Sequence, residues 1–165
     1  MKRNQNKVTF IAYGAVIAAL YVVLTLPFAS IAFGVIQFRI AEALTILPFF
    51  TPAAIPGLTI GCFLANLLSG AAVIDVIFGS LATLIGAVLS YALRRHKWLV
   101  CVPPILSNTL IIPWVLRYAY GAPEAIPYQM FTIGLSEIVA VAILGNLLLA
   151  ALQPLRNMLF EKCSA

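Results

Sequence analysis

The stretch VIDVIFGSLATLIGAVLSYAL, residues 73–93, is the clearest indication of fold class in this chain. It carries one charged side chain, Asp75, and is followed at once by the basic run Arg94-Arg95-His96-Lys97. A helix needs roughly 20 predominantly apolar residues to cross about 30 Å of bilayer hydrocarbon. Lysine and arginine accumulate at the cytoplasmic ends of such helices. The stretch therefore predicts a transmembrane helix that ends on the cytoplasmic side.

The composition of the whole chain extends this prediction beyond one segment. Of the 165 residues, 63% are hydrophobic and 9% are charged, whereas a soluble domain carries about 25% charged residues. A soluble protein of this size has too much surface for its volume to bury so much apolar side chain. Backbone polar groups in lipid must be paired within their own segment, which favours helices, and the apolar runs lack the alternation of barrel strands.

We therefore predict an all-α membrane protein in which residues 1–165 form a single integral membrane domain. Six transmembrane helices are expected, with both termini in the cytoplasm and with bounds near 8–26, 38–50, 53–68, 73–93, 98–118 and 127–152. The second helix is short for a span, so we expect it to be tilted or shielded by its neighbours. The first apolar run is long for a signal peptide and further spans follow it, so it is interpreted as an uncleaved helix.

The distribution of basic residues predicts the orientation, because cytoplasmic loops are enriched in lysine and arginine. Only Arg39 and Arg117 fall on the outer half when the N-terminus is placed inside. The remaining basic residues are then cytoplasmic: Lys2, Arg3, Lys7, Arg94, Arg95, Lys97, Arg156 and Lys162. The net charge of +5 therefore reflects topology and does not indicate a nucleic-acid-binding surface.

Sequence motifs for catalysis and for cofactors are absent. There is no GxxxxGK[ST] loop for ATP, no HExxH pattern, no serine elbow and no cysteine–histidine cluster. Cys62, Cys101 and Cys163 have neither metal-ligand spacing nor the spacing of a disulfide framework. We therefore do not predict an enzyme, and we expect neither a cofactor nor a bound metal.

Polar residues inside the predicted spans are candidates for function, because a charged side chain at the bilayer centre costs about 2.5–3.5 kcal/mol on insertion scales. Helices 2 to 6 all carry such residues in or near the outer half: Gln37, Arg39, Glu42, Asn66, Asp75, Asn108 and Glu137. Aromatic side chains are expected nearby, namely Phe38, Trp114, Tyr118 and Tyr128. This combination is typical of a pocket for a small, planar, polar ligand, with aromatic rings on its faces and polar groups at its edge.

The charged candidates also have structural interpretations. Arg39 and Glu42, at positions i and i+3, are spaced to form an ion pair. Asp75 is placed to cap the fourth helix. Glu137 has no basic residue within one helical turn, so its structural alternative is a pairing across helices with Arg39 or Arg117.

The uncharged candidates have similar alternatives. Asn66 and Asn108 are suited to link neighbouring helices by hydrogen bonds. Trp114, Tyr118 and Tyr128 fit an aromatic belt at the membrane–water interface equally well.

The first predicted helix carries small residues at helical spacing. Ala15 and Ala19 lie four residues apart, with Gly14 and Ala18 beside them. Small residues at this spacing let another helix approach closely, which indicates either a docking face for a partner or internal packing. Residues 57 and 61, both glycine, form a similar pair on the third helix.

Four blocks of sequence resemble the QueT family of membrane transport proteins. They are QFRIAEAL at 37–44, LPFFTPAAIPG at 47–57, IGCFLANL at 60–67 and DVIFGSLATL at 75–84. The resemblance covers most of the chain and is densest between about residues 37 and 90. The family comprises substrate-binding membrane subunits, the S-components, of energy-coupling-factor transporters, and it is associated with uptake of queuosine precursors.

The resemblance implies a six-helix, multi-pass protein of the bacterial cytoplasmic membrane, with a binding site near the outer face. It also implies that the first helix docks through Ala15 and Ala19 on a transmembrane coupling subunit, and that two ATPase subunits complete the complex. ATP hydrolysis would then occur in those partners, which agrees with the missing nucleotide-binding motif.

The implied ligand is a 7-deazaguanine base, whose amidine-like edge presents two N–H donors that suit a carboxylate. In the aminomethyl form a second carboxylate would bind the ammonium group. We expect Glu42 and Glu137 to be the two principal carboxylates, with Asn66, Asp75 and Asn108 completing the edge. The residues alone do not assign a carboxylate to each ligand group.

Three other functions compete with this one. The first is an S-component for another small solute, such as a vitamin. The second is a structural or assembly subunit without a ligand, in which the intramembrane acids would all pair with Arg39 and Arg117 and leave no cavity. The third is a membrane enzyme, which is disfavoured because no nucleophile and base are recognisable.

Overall fold

The structure is a computed structural model that describes residues 2–28 and 39–160. Gln37, Phe38 and most of the connection between the first two predicted helices lie outside the described residues. The helices are α1 (Lys2–Thr25), α2 (Ile40–Phe49), α3 (Ala54–Leu68), α4 (Val73–Ala92), α5 (Val102–Ala119), α6 (Ile126–Leu155) and the short α7 (Arg156–Phe160). No strand occurs in the described part of the chain, so the prediction of an all-helical fold is confirmed.

Helix length and composition identify a membrane protein. Three segments are long and apolar enough to cross a bilayer, namely Lys7–Phe28, Val73–Ala92 and Ile126–Leu155. Helices α2 and α3 are apolar but shorter. The outer surface of the bundle exposes many large apolar side chains, which is the surface that a lipid environment requires.

Helix α2 lies in the centre of the bundle. Every residue from Ala41 to Pro48 is buried, and α2 packs against α1, α3, α4 and α6. A largely apolar helix that is buried on every side belongs in an interior of this kind. It is wound as a 3₁₀ helix of ten residues, so it is only about 20 Å long at a rise of roughly 2.0 Å per residue. Because protein surrounds it, a short helix is tolerated here.

Small residues bring α1 and α3 into close contact. A Cβ atom added to Gly57 would lie 2.7 Å from the carbonyl oxygen of Gly14, and one added to Gly61 would lie 3.0 Å from Cα of Ala18. Only glycine fits at these two positions of α3 without a shift. The internal packing therefore uses Gly14 and Ala18, whereas Ala15 remains exposed on another side of α1, as does Ala19.

Helix α6 changes its winding in the middle. It is α-helical over Ile126–Glu137, π-helical over Ile138–Gly145 and α-helical again over Asn146–Leu152, with a 3₁₀ turn at its end. The π-helical segment packs on α2, where a Cβ added to Gly145 would lie 3.4 Å from the carbonyl oxygen of Ala43. Long π-helical segments are rare, and short ones occur frequently at functional sites. Glu137 is the last α-helical residue before the change.

Hydrogen bonds join the ends of the bundle. The Tyr120 hydroxyl, just after α5, accepts a bond from the backbone N–H of Ala72, just before α4. At the opposite ends of the same two helices, the Ser90 hydroxyl donates to the carbonyl of Val100. The Tyr13 hydroxyl in α1 donates to the carbonyl of Leu159 in α7. Helices α4 and α5 are therefore antiparallel, and the first and last helices meet at one end.

Candidate functional site

Six predicted polar residues are buried in the interior around α2, and we call them the polar cluster. None is more than 6% exposed: Arg39, Glu42, Asn66, Asp75, Asn108 and Glu137. Arg39 precedes α2, and the other five lie on successive helices: Glu42 on α2, Asn66 on α3, Asp75 on α4, Asn108 on α5 and Glu137 on α6. The charge of Arg39 interacts electrostatically with three carboxylates of the cluster, those of Glu42, Asp75 and Glu137.

Helix α1 holds one carboxylate of the cluster through a tyrosine. The Tyr21 hydroxyl donates a 2.5 Å hydrogen bond to Oε1 of Glu42. Tyr21 is fully buried, and its carbonyl accepts a bond from the Thr25 hydroxyl. A hydrogen bond to an ionised acceptor is stronger than one between neutral groups. Tyr21 therefore fixes the direction in which the Glu42 carboxylate points.

Helix α5 holds a second carboxylate through an amide. The Asn108 side chain donates from Nδ2 to Oε1 of Glu137 at 2.9 Å. The same amide lies close enough to interact with Glu42, and the two glutamate charges act on each other. Asn108 thus lies beside both carboxylates, which brings α2, α5 and α6 together at one polar centre.

Asp75 and Asn66 form another part of the cluster. The Asn66 amide donates from Nδ2 to the main-chain carbonyl of Asp75 at 3.3 Å. The Tyr120 hydroxyl donates to Oδ2 of Asp75 at 3.0 Å. Asp75 lies in the first turn of α4, where no side chain caps the helix. The Asp75 side chain therefore accepts a bond from Tyr120 and does not cap α4, which was the structural alternative considered for it.

Unpaired oxygens remain in the cluster. Four buried acceptor atoms have no hydrogen-bond partner among the described residues: Oε2 of Glu42, Oδ1 of Asn66, Oδ1 of Asp75 and Oε2 of Glu137. Leaving a buried polar group unsatisfied costs about 1–3 kcal/mol, and more for a charged group. All four of these oxygens are acceptors that need a donor. A ligand rich in N–H groups would supply such donors.

The formal charge of the cluster points to the same kind of ligand. The cluster holds one guanidinium and three carboxyl groups, so its formal charge is negative when all four groups are ionised. Buried charges are stable when they are paired and hydrogen-bonded. The cluster is therefore suited to a small cation that also carries hydrogen-bond donors.

Three predicted aromatic residues are exposed and are not part of the cluster: Trp114, Tyr118 and Tyr128. Trp114 is 46% exposed, stacks on Tyr118 at 6.3 Å between ring centroids, and lines an apolar groove on the outside of α4 and α5. Tyr128 is 55% exposed. Helical periodicity of about 100° per residue explains the positions of Trp114 and Tyr128. Tyr128 precedes Glu137 by nine residues and so faces the opposite side of α6, and Trp114 is rotated by about 120° from Asn108.

Two residues of the site, Tyr21 and Tyr120, were not identified by the sequence analysis. Tyr21 is a tyrosine within a long apolar run, and buried tyrosine hydroxyls usually find a partner, which is the signal that could have identified it. Tyr120 lies in a turn next to Gly121, where a tyrosine carries no such signal. The alternative pairing of Glu137 with Arg117 does not occur, because Glu137 is bonded to Asn108 and Arg117 donates to the carbonyl of Ala122 at 2.9 Å.

Comparisons with known proteins give one family and one relative. The profile of a family described as "QueT transporter" matches residues 11–154 of the chain. The "Queuosine precursor transporter QueT" of Lactococcus lactis subsp. cremoris (strain MG1363) is 47% identical over 73 residues. That alignment covers 43% of this chain and 43% of the relative, which is less than half of either protein. No solved structure matches the chain.

Proposed function

The chain belongs to the QueT transporter family, and from this premise we propose that it is the substrate-binding membrane subunit, or S-component, of an energy-coupling-factor importer. Its substrate is a queuosine precursor, a 7-deazaguanine base in the aminomethyl form. The observation that supports this most strongly is the polar cluster around α2, in which four buried acceptor oxygens have no donor among the described residues.

The donors of the base match the acceptors of the cluster. The amidine-like edge of a 7-deazaguanine presents N–H groups in one plane, and its aminomethyl substituent adds an ammonium. Glu42 and Glu137 each use Oε1 for a bond within the protein, which leaves Oε2 of each for the ligand. A hydrogen bond to a charged group contributes about 1.5–3 kcal/mol. Two such bonds, in a cluster that holds three acids and one guanidinium, favour a cationic base over a neutral solute.

The position of the site follows from the proposed topology. The N and C termini lie in the cytoplasm and six helices cross the bilayer of the bacterial cytoplasmic membrane, in a single domain over residues 1–165. The basic loop at 94–97 is exposed, as the cytoplasmic side requires. Asp75 and the adjacent Tyr120 are at the other end of α4 from this loop, so this part of the polar cluster lies toward the outer face in the proposed topology. Helix α2 is short but enclosed by protein, so its length does not conflict with a membrane position.

The proposed partners dock on α1. Ala15 and Ala19 are exposed while Gly14 and Ala18 are occupied by α3, so the two alanines are not needed for internal packing. Exposed small residues at this spacing suit the close approach of a helix from a transmembrane coupling subunit. Two ATPase subunits supply the ATP hydrolysis, and this chain acts as a binding protein without catalysis.

A ligand screen tests the function. The purified chain in detergent is heated with aminomethyl and cyano forms of 7-deazaguanine, and with riboflavin, thiamine and biotin as competitors. We expect the aminomethyl base to raise the melting temperature most, since a ligand that binds only the folded state stabilises it. Stabilisation by a vitamin alone would indicate a different solute, and stabilisation by none would indicate a structural subunit.

A matched pair of variants shows whether the screen reports on the cluster. The double variant Glu42→Gln/Glu137→Gln keeps the shapes of both side chains but removes both charges, and it should lose the stabilisation. The control Glu124→Gln changes an acid in the α5–α6 connection, outside the cluster, and it should keep the response of the wild type.

A further inference from the structure

Asp75 and Asn66 converge on one point of the cluster, beside Gly79. Both side chains are fully buried, Asn66 near the end of α3 and Asp75 at the start of α4. A Cβ atom added to Gly79 would lie 2.9 Å from Nδ2 of Asn66 and 3.2 Å from Oδ1 of Asp75. The two side chains therefore meet above Gly79, where α4 offers no side chain of its own.

The bonds that these residues make within the protein leave one oxygen of each open. The Asn66 amide nitrogen donates to the main-chain carbonyl of Asp75, and the Tyr120 hydroxyl donates to Oδ2 of Asp75. Oδ1 of Asn66 and Oδ1 of Asp75 have no hydrogen-bond partner in residues 2–28 and 39–160. A purely structural link between α3 and α4 accounts for the bonds that are present. It does not account for two buried oxygens without donors.

The chemistry of this pair differs from that of the glutamates. An ammonium group is a compact charge with three N–H donors that point in different directions. Oδ1 of Asp75 and Oδ1 of Asn66 are unpartnered acceptors on two residues that contact each other, and such a pair suits an ammonium group. Glu42 and Glu137 instead lie beside Asn108, an arrangement that suits donors spread along the edge of a ring. Arg39, the one basic residue of the cluster, interacts electrostatically with Asp75, Glu42 and Glu137, so three acids share one guanidinium.

We propose that Asp75 and Asn66 bind the primary ammonium of the substrate, while Glu42 and Glu137 bind the N–H groups of its base. This assignment rests on the proposed function and adds to it, because it gives each carboxylate a separate part of the ligand. Tyr120 is then a positioning residue, since its hydroxyl holds Oδ2 of Asp75 and directs Oδ1 toward the substrate. Preference for a cationic base over a neutral one depends on this pair.

The test compares two ligands that differ in the ammonium alone. Titration calorimetry measures the affinities of 7-aminomethyl-7-deazaguanine and of neutral 7-methyl-7-deazaguanine for wild type and for Asp75→Asn. Wild type should prefer the aminomethyl base by about tenfold or more, equivalent to about 1.4 kcal/mol. Asp75→Asn should reduce that preference to roughly threefold or less, and it should leave the affinity for the methyl base unchanged. The matched control, Glu137→Gln, should weaken both ligands by the same factor.

Each other outcome overturns the assignment. If Asp75→Asn keeps the full preference, or weakens both ligands equally, the ammonium is bound elsewhere. If wild type binds neither base, the proposed function itself fails. If Asp75→Asn does not fold, Gly79→Ala gives an independent answer, since its methyl group displaces the Asn66 amide and should lower the affinity for the aminomethyl base alone. An unchanged preference in Gly79→Ala would likewise overturn the assignment.

Discussion

Asn108 and Glu137 are 29 positions apart in the sequence, and the Asn108 amide donates a 2.9 Å hydrogen bond to the Glu137 carboxylate inside the bundle. This bond holds Oε1 of Glu137 and leaves Oε2 open. It also joins α5 to α6 at the residue where α6 changes from α-helical to π-helical winding. The proposed site depends on this contact for the position of the Glu137 carboxylate.

Replacing Asn108 tests that dependence. Asn108→Ala should lower the affinity for the aminomethyl base by about tenfold, because Glu137 loses the donor that positions it. Calorimetric titration of the purified variant measures this effect. The control is Asn146→Ala, which removes an amide that donates to the carbonyl of Ala142 on the same helix and should leave the affinity unchanged. Equal losses in both variants would indicate a general effect of asparagine removal.

Tyr21 allows a more conservative change. Tyr21→Phe removes one hydroxyl and keeps the ring, so the packing of α1 is preserved while Oε1 of Glu42 loses its 2.5 Å bond. We expect the affinity to fall by about three- to tenfold, as estimated from the loss of one hydrogen bond inside a membrane protein. Tyr118→Phe, which changes an exposed tyrosine, is the control. An unchanged affinity in Tyr21→Phe would exclude Tyr21 from a positioning role.

Because small residues hold α1 against α3, we expect substitutions inside this contact to lower stability more than substitutions on the exposed side of α1. Gly57→Val should lower the melting temperature in detergent, since its Cβ would lie 2.7 Å from a backbone oxygen of Gly14. Overpacking of this kind costs about 1–3 kcal/mol. Ala15→Val, on the exposed side of α1, should leave the melting temperature unchanged. If the two variants melt alike, the small residues of α3 are not the contact that holds α1.

We expect substitutions on the exposed side of α1 to affect transport but not ligand binding. Ala15→Leu/Ala19→Leu should abolish uptake of the base by cells that express the complete transporter, because bulky side chains prevent close docking of a helix. Ligand binding by the purified variant should be unchanged. Val23→Leu, an exposed change further along α1, should affect neither measurement. Loss of uptake and binding together would point to a folding role for the two alanines.

Trp114 provides a negative prediction. Since it is about half exposed on the outside of α4 and α5, Trp114→Ala should change the affinity for the base by no more than about twofold. The same titration measures it. A loss of tenfold or more would place Trp114 at the ligand and contradict its position in the structure.

The sequence was sufficient to predict the class of fold and the buried polar residues, because both follow from side-chain hydrophobicity. An acid such as Glu137 in a long apolar run has to be buried in protein and paired, whatever the details of packing. Its partner was not predictable, since Asn108 meets it only through the packing of α5 against α6. The 3₁₀ winding of α2 and the π-helical segment of α6 likewise depend on contacts between helices.

Aromatic residues were the least predictable part of the site. Trp114 and Tyr128 were assigned to the pocket by their proximity in sequence to polar residues, and the structure places both on the outside of the bundle. The helical phase relative to Asn108 and Glu137 would have indicated this, because the polar residues alone mark the inward face of α5 and α6. Tyr21 and Tyr120, which contact the acids, come from segments in which no polar pattern marks the inward face.

The affinity of the purified chain for 7-aminomethyl-7-deazaguanine, before and after removal of the Glu137 carboxylate, tests the central claim most directly. Titration calorimetry should give one binding site in wild type and an affinity at least about tenfold lower in Glu137→Ala, with a melting curve that shows a folded protein. Equal affinities in the two proteins, or no binding by a well-folded wild type, would contradict the claim that the buried acids around α2 bind the substrate.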